Sequence, residues 1–361
     1  MMRPRAAIVF YGALMLHAVL PAQAQAQNPL QAPRPQIVQN QSNPSASPPL
    51  PMPSQRQPVP AGQADPGIDG AYGAYQAGFF LEAFRQATRR IEDDASDAAA
   101  MTLLAELHLQ GLGVKQDSRK ATEWYLLAMA RGDVNATFAL GMLTLQGQGL
   151  PRDEARGRDL LQTAAAKGHG PAAFNLALPL LVTGDPEGLK RAIALLQQAA
   201  EREVADAQHA LAVLMLDGRG LPLDVEGGAD MMARSASNGS LAGEVEFAIL
   251  QFTGRGLGRD ERAAARGFAR AAARGNAIAQ NRLARILFQG RWLPRDAVSA
   301  GGWHLAAKAQ GLADESLDVE LGKLGEDERA KAQAFADDVV AANALTRPGA
   351  AAQSTATEFR K

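Results

Sequence analysis

Residues 104–117 read LAELHLQGLGVKQD, and residues 140–153 repeat the pattern as LGMLTLQGQGLPRD. The same register returns at 211–224, 247–260 and 283–296. The glycine that opens each turn belongs to a series with steps of 34 to 37 residues: Gly111, Gly147, Gly184, Gly218, Gly254 and Gly290. Self-similarity at a period in the thirties predicts stacked structural units rather than one globular core.

A second glycine series closes the units, with steps of 36 or 71 residues. It comprises Gly132, Gly168, Gly239, Gly275 and Gly311, while Glu203 stands where a further member would fall. Helical periodicity of apolar residues runs from Ala71 to about Leu345. These features predict an all-α protein, an α-solenoid of stacked helix pairs.

Each predicted unit consists of helix A, a glycine turn and helix B. In the first clear unit, helix A covers residues 100–110 and helix B begins at Asp117. One aspartate per unit stands in the register of an N-cap: Asp117, Asp153, Asp224, Asp260 and Asp296. An aspartate there accepts backbone N–H bonds at the positive end of the helix dipole. Arg131, Lys167 and Arg274 precede the closing glycine, where a basic charge favours a helix C-terminus.

The overall composition excludes strong electrostatic attraction to nucleic acid or to an anionic membrane. Lys and Arg number 37 against 38 Asp and Glu, so the charges nearly balance. Apolar residues make up 47% of the chain and aromatic residues only 5%, which suits helices packed on small side chains. There is no cysteine, so no disulfide or cysteine nucleophile is available.

Residues 1–24 are typical of a secretory signal peptide. Arg3 and Arg5 precede an apolar run over residues 6–20, and small residues follow at 22–26. The alternative is an uncleaved anchor, but the run is shorter than the ~20 residues that a spanning helix needs. We expect cleavage near residues 24–26 and, in a diderm bacterium, a periplasmic location, with secretion as the alternative.

The remaining chain divides by composition. Residues 25–68 are rich in Pro, Gln, Ser and Asn and predict a disordered linker, because such a stretch buries too little surface to offset its ordering entropy. Residues 315–345 predict C-terminal capping helices, and residues 346–361 a disordered tail. The solenoid then covers 69–314, with repeats near 71–98, 100–135, 136–171, 172–206, 207–242, 243–278 and 279–314.

The repeated unit resembles a known family. Its best copy comprises Leu104-Ala105, Gly111-Leu112-Gly113-Val114, Asp117, Ala121, Trp124-Tyr125 and Gly132. This pattern resembles the Sel1-like repeat, a relative of the tetratricopeptide repeat, and the resemblance implies that the helix pairs stack into a right-handed superhelix. The resemblance implies a non-catalytic scaffold, adaptor or regulator that binds a protein partner, and for exported members a partner in the cell envelope.

One copy of the repeat is irregular. Pro179 lies inside its helix A, and the turn over residues 182–186 is shortened. An interior proline removes one hydrogen bond and usually kinks a helix. The irregularity is interpreted either as drift in a degenerate repeat or as a bend that shapes a partner site.

A stripe of side chains on helix A is the candidate partner site. Aligning the copies on Leu104 and its equivalents places positions −2, +2 and +5 on one helical face. In the middle copies the stripe comprises Phe138, Met142, Leu145, Phe174, Leu178, Leu181, His209, Val213, Leu216, Val245, Ile249 and Phe252. It turns polar at Thr102 and Glu106 at one end and at Asn281 and Arg285 at the other. In tetratricopeptide proteins the corresponding positions line a groove that holds a peptide, so we expect an apolar groove for an extended segment or amphipathic helix; the alternative is ordinary buried core.

Arginines also recur in the turns between helices. They are Arg152, Arg219, Arg255, Arg259, Arg291 and Arg295. Solvated turn residues are one interpretation of this set. Binding of an anionic ligand, such as an acidic protein or wall polymer, is the other, and salt would weaken it.

The sequence gives little support for catalysis. The histidines are scattered, and His304, beside Trp303, is interpreted as a packed core residue. There is no Gly-x-Ser-x-Gly or Ser-x-x-Lys motif, and the glycines at 254–258 follow a helix where a dinucleotide site needs a strand. We therefore predict a protein that is not an enzyme, with no catalytic, cofactor or metal site. The rival hypotheses are a peptidoglycan- or wall-associated protein with weak hydrolase activity, and a purely structural spacer.

Overall fold

The computed structural model describes residues 69–183 and 185–346. The predicted signal peptide at 1–24, the linker at 25–68, Gly184 and the tail from residue 347 onward lie outside the described residues. Within the described ranges the chain forms sixteen helices and no strand, which confirms the all-α prediction.

The helices follow one another in pairs. Their bounds are α1 (Gly70–Gln76), α2 (Phe80–Asp93), α3 (Ala98–Gln110), α4 (Ser118–Ala130), α5 (Val134–Gln146), α6 (Glu154–Ala166), α7 (Gly170–Thr183), α8 (Pro186–Glu201), α9 (Ala205–Asp217), α10 (Val225–Ser237), α11 (Leu241–Thr253), α12 (Glu261–Ala273), α13 (Ala277–Gln289), α14 (Ala297–Ala309), α15 (Glu315–Gly322) and α16 (Glu326–Thr346). We call α3, α5, α7, α9, α11 and α13 the A helices, and α4, α6, α8, α10, α12 and α14 the B helices. Each A helix packs on the B helix that follows it and on the helix that precedes it, which belongs to the previous unit, as a solenoid requires.

The predicted aspartate caps are confirmed in every B helix for which they were predicted. The side chain of Asp153 accepts a hydrogen bond from the Arg156 amide at 3.0 Å, and Asp224 accepts one from the Gly227 amide at 2.8 Å. Asp117, Asp260 and Asp296 cap α4, α12 and α14 in the same way. A second set of caps, on the A helices and α8, escaped the sequence analysis: Asp97, Asp133, Asp185, Ser240 and Asn276.

The second glycine of the turn joins one unit to the preceding one. A Cβ atom built on Gly149 would lie 2.3 Å from the carbonyl oxygen of Ser118, and one on Gly256 would lie 1.9 Å from that of Val225. Ser118 and Val225 are the first residues of α4 and α10. The turn backbone therefore lies directly against the start of the preceding B helix.

Two residues other than glycine adopt a positive φ among those described. Glu203 has φ 58° where the other units have their closing glycine, and Trp292 has φ 66° where other turns have their second glycine. The left-handed conformation is disfavoured for residues with a Cβ atom. The surrounding repeat geometry therefore holds both residues in a conformation that glycine would adopt without strain. Pro179 lies within α7, which continues to Thr183.

Buried side chains in the described part of the chain form a row of six small clusters rather than one centre. Alanine supplies much of this core; Ala105, Ala212 and Ala284 are fully buried on the A helices. Where the A helix carries glycine, at Gly141, an added Cβ would lie 2.9 Å from a methyl group of Leu161. Such small residues let neighbouring helices approach closely, as the composition indicated.

Helices α15 and α16 pack against the last repeat. The ring of Trp303 meets that of Phe335 edge to face, with centroids 5.0 Å apart. His304 is fully buried, and its Nε2 lies 2.9 Å from a carboxylate oxygen of Asp318. His304 is thus a packed core residue, as the sequence indicated.

Candidate binding surface on the A helices

The structure places the predicted stripe on four consecutive A helices, α5, α7, α9 and α11. Ten of its twelve residues are half-buried, whereas Leu216 and Val245 are 5% and 2% exposed. Neither the open groove nor the ordinary core describes the whole set. Eight of the ten half-buried residues, all but Leu178 and His209, pack against buried core clusters while part of their surface reaches solvent. Leu216 and Val245 belong to the core. That the stripe binds a partner stays a prediction.

The first half of the stripe is anchored on the central hydrophobic cluster. Phe138, Met142 and Phe174 pack against its buried residues, which include Leu161 and Leu196. The ring of Phe138 also lies against that of His169, with centroids 4.5 Å apart and a tilt of 31°. Such contacts fix the rotamers of these side chains, so a partner would meet an ordered surface.

The second half of the stripe ends in an aromatic pair. Phe252 meets Trp292 edge to face, with ring centroids 5.4 Å apart. The guanidinium of Arg291 lies 4.4 Å from the centroid of Trp292, and that of Arg259 lies 5.9 Å from that of Phe252. Arginine over an aromatic face is favourable, and these contacts help to hold Trp292 in its left-handed conformation.

His209 is the one titratable member of the stripe. Burial lowers its pKa, and the nearby carboxylate of Asp206 raises it by less. Because the net shift is downward from 6.5, His209 is neutral at pH 7. At that pH the stripe carries no charge of its own.

One position of the surface escaped the sequence analysis. The residue immediately after the last stripe position is exposed in every unit: Gln110, Gln146, Val182, Asp217, Thr253 and Gln289. Val182 is 70% exposed, an unusual value for a large apolar side chain. This position lies four residues after stripe position +2, so helical spacing places it next to the stripe. The spacing alone could therefore have identified it in the sequence.

The polar residues at the C-terminal end of the stripe bind the cap. Asn281 donates a hydrogen bond to Asp314 at 2.8 Å, and Arg285 forms an ion pair with the same carboxylate. Asp314 also caps α15 through the amides of Ser316 and Leu317. Burial alone would raise the pKa of Asp314, but the bonds from Asn281 and Ser316 and the charge of Arg285 lower it to about 2. These polar residues hold α15 on α13.

The N-terminal end of the stripe is polar for a different reason. Glu106 accepts a hydrogen bond from the hydroxyl of Tyr125 at 2.6 Å, which ties α3 to α4. Burial and the carboxylate of Glu106 together raise the pKa of Tyr125, so the phenol stays protonated. Thr102 is half-buried, and its hydroxyl has no hydrogen-bond partner among the described residues.

Four of the six turn arginines, Arg219, Arg255, Arg259 and Arg295, bond to carbonyls near the ends of the A helices. Arg152 and Arg291 lie near the carboxylates of Glu154 and Glu261 instead. Arg259 and Arg295 each donate to the carbonyl seven residues earlier, at 3.1 and 3.2 Å. Arg255 reaches the carbonyl of Leu216 in the preceding unit and lies 3.5 Å from Asp217. Carbonyls in the last turn of a helix lack intrahelical partners, so these arginines satisfy them. Binding of an anionic ligand along this edge stays a prediction.

A separate cleft of about 240 Å³ opens between α4, α5 and α6. Leu126, Met129 and Leu160 line it together with the polar side chains of Asp153 and Arg156. Asp153 caps α6. Within residues 69–183 and 185–346, no group of three or more His, Cys, Asp or Glu side chains could hold a metal ion. No helix in the same ranges is long and apolar enough to cross a membrane.

The stacked helix pairs and the glycine turns define an α-solenoid repeat protein. The Sel1 repeat family matches over residues 98–133, 134–169, 170–204, 205–240, 246–276 and 277–312, more than half of the chain. The chain therefore belongs to the Sel1 repeat family. Sel1 repeat proteins typically mediate protein–protein interaction and are generally non-catalytic scaffolds.

Solved structures agree on the fold. A protective antigen present in uropathogenic Escherichia coli strains, displaying an SLR fold, is similar with a TM-score of 0.60 and 21% identity. The match covers 78% of this chain and 64% of the antigen, so this chain spans less than two thirds of it. A Sel1 repeat protein from Oxalobacter formigenes matches with a TM-score of 0.55 and 22% identity, over 68% of this chain and 97% of that one. No curated protein matches this chain.

Proposed function

We propose that this protein is a non-catalytic adaptor or regulator that binds a protein partner through the stripe on its A helices. The observation that carries the proposal is the half-burial of ten stripe residues on four consecutive helices. Their apolar side chains form a row that is fixed by the core beneath and open to solvent above. Apolar surface gains about 25 cal/mol per Å² when a partner covers it.

The N-terminal sequence supports a location for this activity. A basic start, an apolar run and small residues up to residue 26 favour export to the periplasm, with secretion as the alternative. We propose accordingly that the partner is a protein of the cell envelope. The Pro- and Gln-rich segment at 25–68 would then act as a tether.

A photo-crosslinking experiment tests the proposed surface directly. A photoreactive amino acid replaces Val182, which is exposed on α7 beside the stripe, in the full chain expressed in its host. The matched control carries it at Ala194, which is exposed on α8, a B helix. We expect a discrete crosslinked partner from position 182 and none from position 194. A crosslink from position 194 alone would contradict the proposal.

Substitutions within the stripe provide a second test of the proposed binding surface. Met142→Gln and Ile249→Gln together place two polar side chains on half-buried positions without shortening them. We expect the crosslink from position 182 to disappear while the melting temperature falls by only a few degrees. Leu196→Ala is the control that shows the effect of lost stability: it removes a fully buried side chain and lowers the free energy of unfolding by about 2–5 kcal/mol. A folded double variant that crosslinks as well as the wild type would show that the stripe is not the binding surface.

A further inference from the structure

The A helices that carry the stripe contain no lysine or arginine. From α3 through α5, α7, α9 and α11, their sequences hold neither Lys nor Arg, although the chain has 37 such residues. Their only charged groups are carboxylates, at Glu106, Asp206, Asp217, Glu244 and Glu246. The B helices between them each carry at least one Lys or Arg. Charge is thus segregated between the two layers.

Most of these carboxylates are already engaged within the protein. Glu244 is buried and forms ion pairs with Arg270 of α12 at 2.8 Å and with Arg274, the residue that follows α12, at 2.9 Å. Asp206 accepts a hydrogen bond from Ser240 at 3.0 Å. Glu106 is held by Tyr125, and Asp217 lies near Arg255.

Glu246 is the exception. Its side chain is half-buried on α11, directly beside the stripe position Val245 and three residues before Ile249. Among the described residues it makes no hydrogen bond or ion pair. Burial raises its pKa, and the nearby carboxylate of Asp217 raises it further. A half-buried carboxylate next to a like charge gains stability from a cation that approaches it.

Basic side chains border this region without neutralising Glu246. Arg219 lies on the turn before α10 and reaches the carbonyl of Leu181 at 3.5 Å. The next A helix, α13, carries Arg282 and Arg285, and Arg285 is engaged with Asp314 of the cap. A cation on a partner is therefore favoured beside Glu246 on α11 and disfavoured at α13, where the Arg282 side chain is exposed.

We propose that the partner segment is a cationic apolar peptide. Its apolar side chains cover the stripe on α5 and α7, where the exposed surface of the A helices is uncharged, and a Lys or Arg lies against Glu246. This inference rests on the proposed function, since it assigns the chemistry of the partner to the same surface. Charge complementarity of this kind sets specificity and association rate more than total affinity.

Two synthetic peptides test the assignment with the full chain. Both are 18-residue amphipathic helices with the same leucine face; one carries Lys on its polar face and the other Glu. Binding is followed by fluorescence anisotropy of a labelled peptide at physiological salt. We expect the Lys peptide to bind at least tenfold more tightly than the Glu peptide. Equal affinities, or tighter binding of the Glu peptide, would overturn the inference.

A matched pair of variants locates the effect. Glu246→Gln should weaken the Lys peptide several-fold, whereas Glu226→Gln, on the exposed face of α10, should leave its affinity unchanged. Circular dichroism checks that both variants are folded. If the two variants behave alike, the assignment to Glu246 is wrong.

The outcomes separate this inference from the proposed function. If Met142→Gln with Ile249→Gln abolishes binding of the Lys peptide but Glu246→Gln does not weaken it, the stripe is the binding surface and the assignment of a cation to Glu246 is wrong. If neither peptide binds while position 182 still crosslinks a partner, the cationic chemistry is again wrong and the surface is again correct.

Discussion

Glu203 allows the energetic role of the closing glycine to be measured at one site. Its φ of 58° lies in the left-handed region, where Gly132 has 88° in the first unit. The backbone bonds are the same at both sites: the amide of Glu203 bonds to the carbonyl of Ala200 at 3.0 Å, and that of Gly132 to Met129 at 2.9 Å. Glu203→Gly therefore changes the conformational preference while leaving the hydrogen bonds in place.

The expected magnitude follows from two opposing terms. The left-handed conformation costs a residue with a Cβ atom roughly 1–2 kcal/mol, which glycine avoids. Glycine also adds conformational freedom to the unfolded chain, which costs about 0.4–1 kcal/mol. The exposed carboxylate of Glu203 makes no hydrogen bond or ion pair among the described residues, so its loss adds little. We expect Glu203→Gly to stabilise the protein by about 0.5–1 kcal/mol.

Urea denaturation followed by circular dichroism measures this change through the transition midpoint at constant slope. The control is Glu201→Gly, the same substitution at the last residue of α8, which is also exposed. There glycine destabilises a helix by about 0.5–1 kcal/mol, so the two variants should shift the midpoint in opposite directions. The reciprocal change, Gly132→Glu, should destabilise, because space is open around its Cβ position and only the conformational term acts. Shifts of the same sign for Glu203→Gly and Glu201→Gly would refute the reasoning.

Two further predictions concern the joints between elements. Gly256→Ala should lower the stability by more than the roughly 1–2 kcal/mol of the left-handed conformation alone, because its Cβ would lie 1.9 Å from the carbonyl oxygen of Val225. Urea midpoints measured beside those of Gly132→Ala, where only the conformational penalty acts, give the difference, and equal losses would contradict it. Asp314→Asn keeps the cap of α15 but removes the ion pair with Arg285. Because the folded-state pKa of Asp314, about 2, lies below its ordinary 3.8, its contribution is complete above pH 4 and is lost as the pH falls towards 2, by about 1–2 kcal/mol. The stability gap between wild type and variant should therefore narrow between pH 5 and pH 2.5, and a constant gap would contradict this account.

The sequence predicts the repeat geometry well because its determinants are local. An aspartate such as Asp153 accepts bonds from amides only three residues away, so its register alone indicates the start of a helix. The all-α solenoid and the membership of the Sel1 repeat family follow from the same local signals. The caps of the A helices were missed because Asp133, Ser240 and Asn276 vary in type and so form no visible series.

The candidate surface was less predictable because it depends on contacts between units. Leu216 and Val245 occupy the same stripe positions as residues that reach solvent, yet neighbouring helices cover them. The polar end at Asn281 and Arg285 was expected to border a groove, but it binds Asp314 on a later helix. Helical periodicity describes one helix and does not specify which neighbour lies over it.

The flush contact at Gly149 and Gly256 has a consequence for how this surface can evolve. The turn backbone of one unit lies there against a backbone carbonyl of the preceding unit, and this contact involves none of the exposed side chains of the A helices. Mutation can therefore change those side chains, and with them the choice of ligand, without altering the backbone contact between units.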